Sequence, residues 1–339
     1  MLKYFKMKST VLLRMLRSGR LSWRKVGNAL SCYSAYHMRR VISGKKPMIA
    51  FFELSNRCNL HCVACRQTPT EIFNQNPKGT DDFVPLGTMS TELFRAIIDE
   101  AQDHLMLAVL YVNGEPLLRQ DIAEILRYAS DRDIATMIST NGMLMTEHRA
   151  LELLESGVDF IKIAVSGFTQ QVYERNHRGG DVEAVKTNLE RLVRAREKLH
   201  ADTVIMLDYI AFRHNDHESR LWRTQCERLG ILFNLRTGIS QGRPEVEERH
   251  GGVSPATKLC DWLWKTVTIN WDGSVFPCCE YATWKDIKSL GRCRTEGAKL
   301  AALWNGPDYQ RMRKVHITKG RSSFPRCAGC HYQGVRPQG

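Results

Sequence analysis

Apolar and polar positions along this chain change period in a regular order. The run Met48-Ile49-Ala50-Phe51-Phe52-Glu53-Leu54 is apolar enough for a strand covered on both faces. From Met89 onward, helix-spaced stretches alternate with short apolar runs. The pattern predicts helix 90–103, strand 106–112, helix 120–131, strand 134–139, helix 146–156 and strand 159–165. Helix 181–198, strand 203–211, helix 215–229 and strand 231–236 follow. Strand-then-helix alternation implies right-handed crossovers and a parallel sheet, here of six strands. Residues 67–88 read as an irregular loop (Thr68-Pro69, Asn76-Pro77, Pro85, Gly87), and 237–258 as a linker rich in Gly and Pro. Beyond it, Thr266–Asn270 and Ser274–Phe276 flank Trp271-Asp272-Gly273, and Asp-Gly is a hairpin turn signal.

The N-terminal segment differs in kind. From Met1 to Phe52 there are twelve Lys/Arg and no Asp or Glu, which accounts for nearly all of the net charge of +13. The segment also carries Trp23, Val26, Leu30 and Tyr33 at helical spacing. A basic amphipathic helix suits an anionic membrane surface. The alternative is a helical extension that packs on the main domain and shows a basic face to water. A mitochondrial transit peptide has similar composition. Nucleic-acid binding is disfavoured, because the basic residues sit on an apolar element rather than around a stacking platform. No apolar run reaches the length of a membrane span, and Lys and Arg interrupt the N-terminal apolar stretch where a secretory signal would need continuity.

Candidate chemistry rests on the eleven cysteines of the 339 residues. In a chain this long, C-x2-C and C-x3-C spacings point to metal binding in a reducing cytoplasm rather than to disulfides. Cys58, Cys62 and Cys65 form C-x3-C-x2-C directly after the first strand. Three thiolates can hold three irons of a [4Fe–4S] cube and leave the fourth open; a zinc site would want a fourth ligand, which His61 could supply. Cys260, Cys278, Cys327 and Cys330 form a second group. The hairpin returns Cys260 and Cys278 to one place, and Cys327-Ala328-Gly329-Cys330 adds the other pair. Four thiolates fit a tetrahedral zinc or a fully ligated cube equally well. Cys32, Cys226, Cys279 and Cys293 remain, and a buried structural role is the default for each.

The first cysteine motif and its setting resemble the radical S-adenosylmethionine (SAM) enzymes, over roughly residues 46–236. The resemblance implies an open, partial (β/α)6 TIM barrel with its site at the C-terminal strand ends. It implies a [4Fe–4S] cluster whose open iron chelates SAM, and a deoxyadenosyl radical that takes a hydrogen atom from substrate. Gly114-Glu115-Pro116 resembles the family's Gly-Gly-Glu motif, with Asn113 in place of the first Gly, and is expected to hold the SAM amino group. Ser139 and Asn141 of Ser139-Thr140-Asn141-Gly142 are expected polar contacts to SAM. Ser166 stands where many relatives carry Asp. Arg178, in His177-Arg178-Gly179-Gly180, is expected on the SAM carboxylate, which a guanidinium fork suits.

The second cysteine group resembles the SPASM/twitch extension, with one auxiliary [4Fe–4S] cluster expected. The organisation expected is an N-terminal extension over 1–46, the barrel over 47–236, a linker over 237–258 and a cluster domain over 259–339. Such an enzyme is expected to oxidise, or epimerise, a carbinol of a sugar, cyclitol or lipid-linked glycan, with Cys279 or Cys293 as the hydrogen donor if it epimerises. A flavodoxin or ferredoxin would reduce the first cluster. The rival enzyme reading is a peptide-modifying maturase, and the non-enzyme rival is a structural zinc protein.

Overall fold

The computed structural model describes residues 15–16, 19–65, 84–239, 246–247, 259–296, 300–328 and 330. Most of the 67–88 loop, most of the 237–258 linker, the first fourteen residues and the tail after Cys330 lie outside the described residues.

One eight-stranded sheet organises the molecule. Six parallel strands run in chain order: β1 (Ile49–Phe52), β2 (Leu107–Val109), β3 (Ala135–Thr140), β4 (Phe160–Val165), β5 (Val204–Ala211) and β6 (Leu232–Thr237). Helix α1 (Trp23–His37) precedes them all. Further helices cross between the strands: α2 (Thr91–Ala101), α3 (Ile122–Ser130), α4 (Glu147–Glu155), a single turn α5 (Gln170–Tyr173), α6 (Val182–Lys198) and α7 (Ser219–Arg228). The sheet is open, because β6 does not close onto the other edge.

The helix starts follow from local chemistry. Ser90, Thr146 and Asp181 each stand before a helix and accept backbone N–H groups of its first turn. The apolar stripes of α2, α3, α4 and α6 then bury Phe94, Ile97, Ile125, Leu126, Leu153 and Leu189 against the outer face of the sheet. A separate small apolar group lies on the concave face, with Val109, Met137 and Phe160 at its centre and Ile49, Phe51, Leu107, Tyr111 and Val204 around them. Side chains alternate between these two faces, as a pleated strand requires.

The hairpin does not form a sheet of its own. β7 (Thr266–Ile269) pairs parallel to β1, Ile49 opposite Thr266 through Phe52 opposite Ile269, and β8 (Val275–Phe276) turns back antiparallel. The cysteine-bearing C-terminal region is thus welded to the barrel at the strand that leads into Cys58. The helices around it are α8 (Trp262–Lys265), α9 (Cys279–Thr283), α10 (Leu300–Trp304), α11 (Pro307–Thr318) and α12 (Pro325–Ala328). Trp262 stacks on Phe51 with ring centroids 4.9 Å apart. Buried Arg313 of α11 donates to Leu263 O, Val41 O and Asn305 Oδ1, and so ties this region to the N-terminal segment.

Helix α1 lies across the N-terminal ends of the strands and packs on the barrel through a largely polar face. Lys25, Asn28, Cys32 and Ala35 face the barrel. Lys25 Nζ donates to Asp133 O, and Asn28 Nδ2 to Lys46 O at 2.9 Å. Arg20 Nη1 pairs with Asp159 Oδ2 at 2.8 Å. Trp23, Val26 and Leu30 point to solvent, and Tyr33, at the border, lies under Lys265 Nζ at 4.0 Å.

Candidate active site and two cysteine groups

Everything singled out for chemistry in the first 236 residues lies at or just below the C-terminal ends of the strands. The Cys58–Cys65 loop leaves β1 and runs beside residues 176–178. His61 N donates to Arg178 O at 3.0 Å, Val63 N to Asn176 O at 2.8 Å, and Ala64 N to Asn176 Oδ1 at 3.0 Å. Cys65 N donates to Cys62 O at 3.0 Å, closing a tight turn between two of the thiols. Burial pushes the Cys58 thiol up to about 11 and Cys62 well above the ordinary value, and the neighbouring thiols add to both shifts. Buried thiolates this close need a cationic group among them, which is what an iron–sulfur cluster provides.

The Gly114 motif is set by close approach. A Cβ at 114 would lie 1.9 Å from Ser55 O, so only glycine lets this turn rest on the loop that leads to Cys58. Glu115 N donates to Arg57 O at 2.8 Å and locks the same contact. The Glu115 carboxylate is buried; Oε1 accepts from Leu117 N at 3.0 Å and Oε2 from Asn141 N at 2.8 Å. Asn113 N and Nδ2 both donate to Glu53 Oε2, at 2.8 and 2.9 Å. Burial pushes Glu53 and Glu115 each up to about 7. Asn141 Nδ2 reaches Asn59 Oδ1 at 2.9 Å and lies 3.9 Å from Cys58 Sγ. Glu115, Asn141 and the first cysteine therefore form one connected group.

Ser166 and Arg178 belong to a second connected group. Ser166 is fully buried; its Oγ lies 2.5 Å from His177 Nδ1 and accepts from Asn176 Nδ2 at 3.1 Å. His177 stacks on Tyr173 at 4.6 Å and is held neutral, pushed down to about 3 by burial and the Arg236 charge. In this chain the hydroxyl at the end of β4 fixes the segment 176–178 that carries the cysteine loop. An Asp there would bring a buried negative charge, and the serine brings none.

The second cysteine group also converges. Cys260 feels Cys327 and Cys330, and Cys278 feels Cys260 and Cys327, while burial pushes Cys260 up to about 12. Tyr281 OH lies 3.5 Å from Cys327 Sγ. Four thiols that approach one another in this way could together hold one metal group. Helix α9 begins just after Cys278 and ends at Thr283, whose Oγ1 lies 3.3 Å from Asn113 Oδ1, so one short helix joins the two sites. Trp271, at the hairpin turn, donates to Pro85 O and covers Gly87, beside Asn56.

Cys279 opens α9 beside a predicted ligand. Cys293 is buried on the helix side of the sheet, its N donating to Gly273 O. It lies among the helix-side apolar residues, apart from the group around Val109, Met137 and Phe160.

One polar cluster was missed by the sequence reading. On the concave wall, Asp208 Oδ1 accepts from Asn234 Nδ2 at 2.6 Å and Oδ2 from Arg236 Nε at 2.7 Å; Lys162 Nζ lies 3.4 Å from Oδ2 and over the Tyr111 ring. Burial alone would raise Asp208, but Lys162 and Arg236 hold it well below the usual carboxylate range. A lone charged residue inside each of β4, β5 and β6 (Lys162, Asp208 and Arg236) was the available signal. Lys162 sits opposite Ser139. Two residues along a strand and one strand across place it about 8 Å from Asn141.

The model of the radical SAM superfamily matches residues 52–212, and that of the SPASM iron–sulfur cluster-binding domain matches 260–331. An AdoMet-dependent heme synthase of Methanosarcina barkeri is 29% identical over 65% of this chain and 58% of its own length. The chain thus spans less than two thirds of that relative. A tungsten-containing aldehyde ferredoxin oxidoreductase cofactor-modifying protein of Pyrococcus furiosus is 26% identical over 83% of this chain and 86% of its own. A PqqA peptide cyclase of Granulibacter bethesdensis is 27% identical over 79% and 76%. Among solved structures, SuiB of Streptococcus suis bound to S-adenosylmethionine superposes with a TM-score of 0.63 at 13% identity, covering 86% of this chain and 73% of that one. BtrN in complex with AdoMet and 2-DOIA superposes with a TM-score of 0.51 at 16% identity, covering 85% and 94%. With the cysteine loop, the strand-end motifs and the second cysteine group each in place on an open parallel barrel, the chain belongs to the radical SAM superfamily and carries a C-terminal SPASM iron–sulfur domain.

Proposed function

We propose that this radical SAM enzyme oxidises, or epimerises, a carbinol of a hydroxyl-rich substrate: a sugar, a cyclitol or a lipid-linked glycan. The observation that carries this is the polar concave wall of Tyr111, Ser139, Lys162, Asp208, Asn234 and Arg236, at the depth where a substrate would lie beneath SAM. Cys58, Cys62 and Cys65 would hold the first cluster, and Gly114, Glu115, Pro116, Ser139, Asn141, Ser166 and Arg178 would frame SAM, directly or through the loop they position. Bound there, SAM and the cluster supply the radical that removes one hydrogen atom from the substrate carbon. Oxidation is completed when the hydroxyl proton leaves and one electron departs, giving the carbonyl. Cys260, Cys278, Cys327 and Cys330, holding one auxiliary [4Fe–4S] cluster, would receive that electron, since α9 spans only about 7–8 Å between Cys278 and Thr283. A flavodoxin or ferredoxin in the cytoplasm would reduce the first cluster.

The wall also selects among such substrates. One carboxylate faces two cations, so a surplus positive charge remains, and the Arg236 side chain is 46% exposed. This favours a substrate with a phosphate or carboxylate next to its hydroxyls. Arg236→Gln is expected to weaken binding of a phosphorylated sugar substrate at least tenfold, on the order of one charged hydrogen bond, with SAM binding unchanged.

A peptide-modifying role is the second reading, supported by the similarity to PqqA peptide cyclase and to the mycofactocin maturase MftC of Mycobacterium ulcerans. Anaerobic incubation with SAM, a reductant and candidate substrates separates the readings. Carbinol oxidation gives a product two mass units lighter for each 5′-deoxyadenosine formed. Deoxyadenosine formed with no oxidised or epimerised product from any sugar, phosphorylated sugar or cyclitol would sink the proposal.

A further inference from the structure

Helix α1 is built inside out for a surface helix of a soluble domain. Its barrel-facing side carries Lys25 and Asn28, which serve the backbone carbonyls of Asp133 and Lys46 at the lower rim of the sheet. Its outer side carries a continuous apolar stripe: Trp23 is 80% exposed, Leu30 65%, and Val26 and Tyr33 complete the run at spacings of three and four. Leu16, Met38 and Ile42 are exposed beside it. An apolar patch of this size seldom stays bare in water. Along the same edge Arg39, Arg40 and Lys45 are exposed, and Arg24 is half exposed while paired with Asp103. A shallow groove of about 450 Å³ lies between the helix and the following turn, lined by Leu30, Ser34, Arg40 and Ile42.

We propose that this face docks on an anionic membrane surface. A protein partner would need its own apolar face and a complementary acidic rim. A leaflet rich in anionic lipid offers both without further design, and the chain has no Asp or Glu before Glu53; the exposed acids at the same rim are Asp103, which is paired with Arg24, and Asp131 and Asp133. Trp23 is of the residue type that settles at the headgroup level, with its ring in the apolar layer and its N–H in the wet one. Each Lys or Arg held near such a surface adds roughly fivefold to the partition. The contact proposed for this face is a peripheral one, with the helix lying in the plane of the surface; no helix among the described residues is long and apolar enough to cross a membrane. Docking at the lower rim leaves the strand ends that carry Cys58, Glu115 and Asn141 facing away from the lipid. A lipid-linked substrate would therefore have to reach the site through an extended headgroup, whereas a soluble one enters freely.

The test is sedimentation of the full-length reconstituted enzyme with phosphatidylcholine vesicles, with and without phosphatidylglycerol. Three proteins are compared: wild type, the Trp23→Glu/Leu30→Glu double variant and Arg39→Ser/Arg40→Ser. Wild type is expected on the anionic vesicles, with a blue-shifted tryptophan emission and release by added salt. The double variant is expected to lose at least tenfold in partition, and the arginine pair about tenfold or more; SAM-dependent deoxyadenosine formation should persist in both. Failure of wild type to bind anionic vesicles would overturn the proposal. So would equal binding to neutral vesicles, or an unchanged partition of the double variant. A wild-type dimer in analytical ultracentrifugation that the double variant breaks, without vesicle binding, would overturn it too and assign the face to a second copy of the chain.

Discussion

Gly114 offers the sharpest test of how the site is assembled. A methyl group at this position would sit 1.9 Å from Ser55 O and 2.8 Å from both Asn56 Cα and Arg57 O. Carbon–oxygen contacts need about 3.4 Å, so the two loops would have to part by about 1.5 Å. That movement breaks the Glu115 N to Arg57 O hydrogen bond of 2.8 Å and drags Arg57, the residue before Cys58. Overpacking costs about 1–3 kcal/mol, and the unpaired buried amide adds about 1–3 kcal/mol. Gly114→Ala is therefore expected to lose about 2–6 kcal/mol of stability. All three cysteines remain, so iron should still load. A displacement near 1 Å at the reacting groups costs on the order of a hundredfold in rate, which sets the expected fall in 5′-deoxyadenosine formation. The assay is deoxyadenosine by mass spectrometry under single-turnover conditions, with iron content and thermal melting on the same samples. Gly27→Ala is the control: a methyl group there would have nothing within 4 Å, and no loss is expected. A Gly114→Ala enzyme that cleaves SAM within about twofold of wild type, with an unchanged melt, would refute the close-approach argument.

Ser166→Ala strips a partner from buried His177 and Asn176 and should cost about 1–3 kcal/mol. Ser166→Thr, which keeps the hydroxyl, should recover SAM cleavage more fully than Ser166→Ala if the group acts by holding the 176–178 segment. Burial lowers Lys25 to about 8, below its unfolded value, so the unfolded chain binds the extra proton between these values. Stability should rise with pH from about 8 to 10.5, and Lys25→Met should flatten that rise in urea melts across the range. Iron and sulfide analysis should give about eight irons per chain, falling to about four in Cys58/Cys62/Cys65→Ala; four in wild type and none in the triple variant would leave the second cysteine group without a cluster.

Where local chemistry sets the outcome, the sequence was sufficient. Ser90, Thr146 and Asp181 mark helix starts, and the six parallel strands follow from alternation. Where the outcome depends on distant partners, it was not. The pairing of β7 with β1 joins residues more than two hundred positions apart, and no periodicity in either segment encodes it. Helix α11 buries Arg313 and His316 beside Tyr309 and Met312, so its inward face does not read as apolar. The stripe on α1 predicted a helix but not its facing. The lower rim presents the backbone carbonyls of Lys46, His104 and Asp133, and Lys25 and Asn28 turn towards them as donors, so the facing depends on partners distant in sequence. In the site, cysteine spacing was legible, while the Asp208–Arg236–Lys162 wall required three strands to be brought into register.

The sheet continuity of β1 and β7 bears on why two cysteine groups share one chain. Cys58 follows β1 after a short turn, and Cys278 follows β8 in the hairpin that extends the same sheet. Strands rise about 3.3 Å per residue and lie about 4.8 Å apart. β7 lies between β1 and β8, so these two loops leave strands of one rigid sheet and keep a fixed separation, whatever the intervening linker does. The bond network repeats the constraint: α9 leads from Cys278 to Thr283, Thr283 meets Asn113, and Asn113 donates to Glu53 at the end of β1. A structural zinc finger would need no such registration with the barrel. A redox centre that exchanges an electron with a radical formed beneath SAM would, because transfer depends on a held distance. Severing the link without touching a cysteine, as in Asn113→Ala, should then leave both clusters loaded and slow product formation more than SAM cleavage; equal slowing of both would mean that the link serves the first cluster alone.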